Sequence, residues 1–187
     1  FFHSTALTAD PLDASTTTPA LYFTRWITHY CAPIFVFLSG LSAYLSSRNK
    51  AKAQASGFLI KRGLWLILVE ITLVTFGLTF NPFFNFFILQ VIWAIGFSMV
   101  ILGLLMRISY QVVLIAGIVL FFGHNIVDYP DLPQNGVAGN LWSLFLTSSG
   151  RVIPIDSSHM IGVFYAILPW TGVMLMGYSI GKWFQKD

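Results

Sequence analysis

Apolar runs that each approach the ~20 residues needed to cross a bilayer core succeed one another along this chain. The first covers roughly Leu21 to Ser46, the second Phe58 to Phe80 and the third Phe83 to Leu105. The fourth covers Val112 to Gly123, led in by Ile108 to Gln111, and the fifth runs from Met160 to Trp183. The fourth is the weakest and reads as tilted or partly re-entrant. Composition leaves little room for a soluble alternative. Of 187 residues, 56% are hydrophobic and only 9% charged, where a soluble domain carries about 25% charge. That is too little charge to cover a water-facing surface. Aromatics at 17%, including 18 Phe and 6 Trp, suit a lipid-facing surface with interfacial anchors. The expected fold is all-α: a polytopic transmembrane helix bundle of about five spans.

The basic residues orient that bundle. Arg48, Lys50 and Lys52, continuing to Lys61 and Arg62, form one cluster; Arg107 comes after the third span, and Lys182 and Lys186 end the fifth. Threading five spans puts all of these on one side, which the positive-inside rule makes cytoplasmic. Only Arg25 and Arg151 fall on the other. The net charge of +3 therefore reflects topology, and the basic residues form no patch with interleaved aromatics for nucleic acid. Residues 1–187 read as a single transmembrane domain, with segments 1–20 and 124–159 outside and a basic loop over 47–57 inside. A start at Phe1 with no signal peptide, outside the membrane and ahead of an odd span count, reads as a fragment lacking an upstream helix. The lone Cys31 excludes an internal disulfide framework.

Local signals place several boundaries. Thr18-Pro19 reads as an N-cap with proline next, at the first helical position. Asp156-Ser157-Ser158 reads as a cap for the fifth span. Pro33 and Pro169 fall inside spans, where proline frees a carbonyl and tends to kink the helix. Asn140 to Thr147 carries Leu141, Trp142, Leu144 and Phe145 on one face, enough for a short interfacial helix.

Few polar residues interrupt the spans. Tyr22, Arg25 and His29 recur at i, i+3, i+7 on the first span and share a face. Ionisable groups at such depth usually face a protein interior or a wet cavity. On one reading, His29 is a general base or acyl acceptor and Arg25 binds an anion. On the other, Arg25 snorkels to the interface and His29 is a hydrogen-bonded packing residue. Glu70 lies near the middle of the second span, eight and nine residues from Arg62 and Lys61, so its partner must come from another helix. Gln90 lies at similar depth. A protonated Glu70 bonded to the Gln90 amide avoids burying a charge; a proton-handling or substrate-binding Glu70 is the functional reading. His124, Asp128, Arg151, Asp156 and His159 lie on or beside the long outer loop, as lid or site residues or as ordinary solvated ones. No metal-ligand spacing is present, and none is expected.

Four segments carry a family resemblance. They are Arg25 to Gly40 (RWITHYCAPIFVFLSG), Lys61 to Glu70 (KRGLWLILVE), Leu89 to Gly96 (LQVIWAIG) and Leu168 to Tyr178 (LPWTGVMLMGY). In this order and spacing they resemble bacterial membrane proteins related to heparan-alpha-glucosaminide N-acetyltransferase. The resemblance covers about Phe1 to Trp183 and implies an early-to-middle part of a protein with roughly ten or eleven helices. It implies a bacterial inner-membrane acyltransferase. Cytoplasmic acyl-CoA, taken as acetyl-CoA, would be the donor. A sugar amine or hydroxyl, on a glycan or other envelope molecule across the membrane, would be the acceptor. The eukaryotic enzyme uses a histidine in an outer loop, which makes His3 a second catalytic candidate beside His29. His29 itself stands where the eukaryotic pattern has an aspartate, and the spacing of His3 differs. The substrate-binding candidates are Arg25, Glu70, Gln90, Arg151 and His159. Partners would be the bilayer, acyl-CoA, the acceptor and a second copy of the chain. The competing class is a transporter, or a non-enzymatic membrane protein, using Arg25, His29 and Glu70 as a polar pathway.

Overall fold

The computed structural model describes residues 18–123, 136–146, 151–156 and 158–184. Of these, the side chains of Arg25 and Arg151 are outside the described part. The chain divides into two compact units, Phe1–Phe35 and Val36–Asp187.

The first helix, α1, spans Pro19–Ser47. It begins at the expected proline, whose missing N–H is no loss in a first turn, and the Tyr22 amide donates to the Thr18 carbonyl at 3.0 Å. Helix α2 (Lys52–Val69) runs straight into a π-helical turn (Glu70–Val74) and then α3 (Thr75–Thr79). Phe80 ends this run in the left-handed conformation, with φ 48°. Asn81 then closes the turn, its Oδ1 accepting the Phe83 amide at 2.9 Å. Strand β1 (Phe86–Leu89) leads into α4 (Val91–Ile108), and α5 (Tyr110–Gly123) starts after one further residue. Helix α6 (Gly136–Phe145) precedes strands β2 (Arg151–Pro154) and β3 (Met160–Val163). Helix α7 (Ile167–Ile180) and a 3-10 turn (Gly181–Phe184) complete the described chain.

The structure is mostly helical, as expected, but the expected count of five spans is not reproduced. Among the described residues, two helices are long and apolar enough by length and composition to cross a membrane, α1 and α4; α5 is a shorter apolar helix. A break within one helix and pairing between distant segments are the physical reasons. The second expected span is interrupted by the π turn. The third and fifth begin as strands, because Phe86–Leu89 pairs parallel with Met160–Val163. Strand β2 adds antiparallel to β3, giving the order β1-β3-β2. Apolar β-branched and aromatic runs suit a buried strand as well as a helix, and partner strands far along the sequence tipped the balance. Two expectations for the fifth span, its cap and its internal proline, fail for the same reason. Helix α7 starts at Ile167, so Asp156 is not its cap, and Pro169 sits in its first turn rather than in its interior. The short helix expected over 140–147 exists but begins earlier, at Gly136.

Within the second unit, glycines set the helix spacing. Helices α2 and α4 run antiparallel with Gly63 against Gly96, so a Cβ on Gly96 would lie 2.8 Å from the Gly63 carbonyl. The buried Ser56 hydroxyl donates to the Gly103 carbonyl at 2.6 Å and accepts from Arg107 Nε. Helix α7 packs along α5 through Gly172 and Gly117, and along the second half of α1 through Gly177 and Gly40. Ser98 and Thr171 meet between α4 and α7 at 3.1 Å. The Thr171 proton already goes to the Ile167 carbonyl, so Ser98 is the donor.

These pairings sort the ends of the helices. Arg107 reaches Ser56, Tyr110 Oη donates to the Ser179 carbonyl at 2.7 Å, and Tyr44 lies against Gly181. One end of the unit therefore holds Arg48, Lys50, Lys52, Arg107 and Lys182. Strands β1 to β3, Glu70 and the Asp156–His159 turn belong to the other.

Candidate functional site

The site grows from the buried stripe of α2. Ser56, Leu59, Gly63, Ile67 and Glu70 recur at helical spacing; all but the partly buried Ile67 are buried, while Leu64, Trp65 and Leu68 point outward. Glu70 is fully buried. It opens the π turn, in which the Thr75 amide reaches back five residues to the Glu70 carbonyl. The Thr75 hydroxyl donates to that same carbonyl at 2.9 Å. An extra residue in one turn rotates the downstream helix by about 100°. Thr75 is thereby turned inward and buried as well.

The Glu70 carboxylate meets the start of α4. The backbone amide of Gln90, the residue that caps α4, donates to Glu70 Oε1 at 2.6 Å. The pairing of Glu70 with Gln90 was legible in the sequence, but the group was misassigned: the main chain bonds Glu70, where the side-chain amide was expected. No side chain caps α4 or α7, and the parallel pairing of β1 with β3 brings both helix N-termini to the same end of the sheet. The other oxygen, Glu70 Oε2, is buried without a hydrogen-bond partner. Trp93 Nε1 and Trp142 Nε1 share that condition among the described residues. Trp93 stands one helical turn beyond Gln90, in a small core with Leu89, Val163 and Ile167. Ile67 and Ile71, which flank Glu70, and Leu144, two residues from Trp142, pack on that core.

A second polar group lies in the turn between β2 and β3. Asp156 Oδ1 accepts the amides of Ser158 and His159 at 2.6 and 2.9 Å, and His159 Nδ1 sits 2.9 Å from Asp156 Oδ2. The Ser158 amide, then the His159 side chain, hold the Asp156 carboxyl below its usual range. An ionised carboxylate has no proton to give, so Nδ1 carries the hydrogen and Nε2 is left as the basic nitrogen. Both side chains are more than a third exposed, so this pair stands at the surface.

The other candidates fare differently. His29 is exposed on α1, within the first unit, among exposed Trp26, Ile27 and Tyr30. His3, His124 and Asp128 lie outside the described residues, as do the side chains of Arg25 and Arg151; the Arg151 backbone pairs with Val163. The structure joins Glu70 to Gln90 and His159 to Asp156. Trp93, Trp142 and Thr75 were not singled out as site residues from the sequence. The signal available for the first two was a hydrogen-bond donor set inside an apolar helix. Among the described residues no group of three His, Cys, Asp or Glu is placed to hold a metal ion.

A mostly helical chain with apolar helices and a buried acid defines only a broad class. The sequence matches the family described as "Heparan-alpha-glucosaminide N-acetyltransferase, catalytic" over residues 1–187, and the chain belongs to that family. Among curated proteins and solved structures, no match was found.

Proposed function

We propose that this chain is part of a membrane-embedded acyltransferase that moves an acyl group, most simply acetyl, from acyl-CoA to an amine or hydroxyl of a sugar-like acceptor. The observation that carries the reading is membership of an N-acetyltransferase family over the whole chain. The polarity of the second unit supports it. The basic end, with Arg48, Lys50, Lys52, Arg107 and Lys182, suits the phosphates of CoA and a cytoplasmic face. The opposite end, with Glu70 and the Asp156–His159 turn, suits a neutral or cationic acceptor. Exposed Leu64, Trp65, Leu68, Leu73, Ile115, Val119 and Phe122 give the helices an apolar exterior that lipid would cover. The cytoplasmic placement of the basic end and a bacterial inner membrane belong to the same reading.

In the reaction the acceptor nitrogen or oxygen attacks the thioester carbonyl. The new C–N or C–O bond forms, the C–S bond breaks, and CoA leaves as its thiol. The proton lost by the acceptor goes to a base and then to the departing sulfur. Histidine suits that role near neutral pH. The candidates are His29, His3 and His159, with Arg25 and Arg151 as anion-binding partners. His159 has its tautomer fixed by Asp156.

The test is acetyl-CoA turnover by the full-length chain in proteoliposomes with glucosamine as acceptor. His29→Ala, His3→Ala and His159→Ala are compared in parallel. Loss of transfer by 10²–10⁴-fold in one variant, the usual contribution of a general base, identifies the working histidine. Folded wild type that neither binds nor consumes acetyl-CoA would favour the polar-pathway reading instead.

A further inference from the structure

We propose that Glu70 Oε2 is the hydrogen-bond-accepting anchor for the amine or hydroxyl of the acyl acceptor, at the N-terminal end of α4. This rests on the acyl-transfer reading for the identity of the ligand, but not for the existence of the site.

The geometry of one carboxylate carries it. The Gln90 amide holds Oε1 at 2.6 Å, which fixes where Oε2 points. Oε2 is buried and has no partner, in a residue with 0% exposure. Neither protonation state satisfies it internally. Ionised, it leaves a buried charge with a single hydrogen bond; protonated, it leaves a buried O–H with nothing to donate to. An unsatisfied buried polar group is destabilising, and more so when charged. A Leu or Met in the same stripe would avoid that cost but strand the Gln90 amide, which needs only one acceptor oxygen; that bond accounts for Oε1 and leaves Oε2 unexplained. A hydrogen-bond donor arriving at Oε2 accounts for it.

Two further features define the ligand. The unpartnered indole donor of Trp93 belongs to the small core that Ile67 and Ile71 join on either side of Glu70. One acceptor with a neutral donor in the adjoining core matches a group that both gives and takes hydrogen bonds, as hydroxyls and amines do. A carboxylate disfavours an anion, which assigns the phosphates of the donor to the basic end and leaves this end to the acceptor. The π turn is the structural device. It breaks the α2 ladder at Glu70, and Thr75 repairs the freed carbonyl. Such turns inside helices recur at functional sites.

The experiment is isothermal titration of the full-length chain in detergent with glucosamine and, separately, glucose. These two probes differ in one amine against one hydroxyl. Glu70→Gln keeps an acceptor for the Gln90 amide but puts an NH2 donor where Oε2 was. It is expected to weaken glucosamine binding at least tenfold, with thermal stability nearly unchanged. Trp93→Phe, which keeps the ring and removes the donor, is expected to weaken binding by several-fold, and it decides the matter if Glu70→Gln fails to fold. Unchanged affinity in the folded variants, or no saturable binding of either probe by wild type, overturns the proposal. Acetyl-CoA turnover is measured in the same preparations. Glu70-dependent binding without turnover keeps the site and defeats the acyl-transfer reading. Turnover and binding that ignore Glu70 do the reverse.

Discussion

Glu70 and Asp156 are both acids that accept backbone amides, yet their surroundings give them opposite roles. Glu70 is sealed inside with one oxygen engaged; Asp156 is exposed with both oxygens engaged by its own turn. Removing the Glu70 side chain strands the Gln90 amide, so Glu70→Ala is expected to cost about 1–3 kcal/mol. Glu70→Gln is expected to cost less than about 1 kcal/mol, because its carbonyl still accepts that amide. Denaturant unfolding in mixed micelles checks both. For Asp156 the folded carboxyl is held below 3.8, so its contribution is complete at neutral pH. It is lost as pH falls below that value through the lower folded one. The melting temperature of wild type is expected to drop toward that of Asp156→Asn across this acid range and to keep a constant offset above it at neutral pH.

At the scale of elements, close helix approach rests on particular glycines. A Cβ at Gly63 would fall 2.5 Å from the Gly96 carbonyl, a backbone atom that cannot swing aside, whereas a Cβ at Gly57 on the same helix meets nothing within 4 Å. Gly63→Ala is therefore expected to destabilise by about 1–3 kcal/mol through overpacking. Gly57→Ala is expected to be neutral or to stabilise by up to about 1 kcal/mol, the helix-propensity gain. Thermal melts of the two variants side by side separate helix propensity from packing. The strands preceding α4 and α7 are the other element-level device. They bind two sequence-distant segments, 86–89 and 160–163, into one sheet, which fixes where both helices start.

At the scale of the whole molecule the proposed orientation puts the basic end inside the cell. With the exposed Cys31 replaced by Ser, a cysteine at Ser158 is expected to react with an impermeant maleimide in intact cells. A cysteine at Lys50 is expected to react only after lysis. The opposite pattern would invert the topology and with it the assignment of donor and acceptor ends.

Much of this was legible in the residues alone. Helical character comes from apolar runs of bilayer length with almost no charge, because lipid leaves backbone polar groups no partner but their own helix. The start of α1 at Pro19 and the common end of Arg48, Lys50, Lys52, Arg107 and Lys182 come from capping chemistry and charge. The span count did not. Whether Phe86–Leu89 and Met160–Val163 are strand or helix depends on a partner strand about 70 residues away in the chain, and local pattern cannot see it. Nor does a sequence show that Glu70 bonds a main-chain amide at the head of α4, or that its second oxygen and two indoles stay unpaired. Main-chain amides carry no residue signature, and burial is a property of the packed helices; only the tertiary structure decides both.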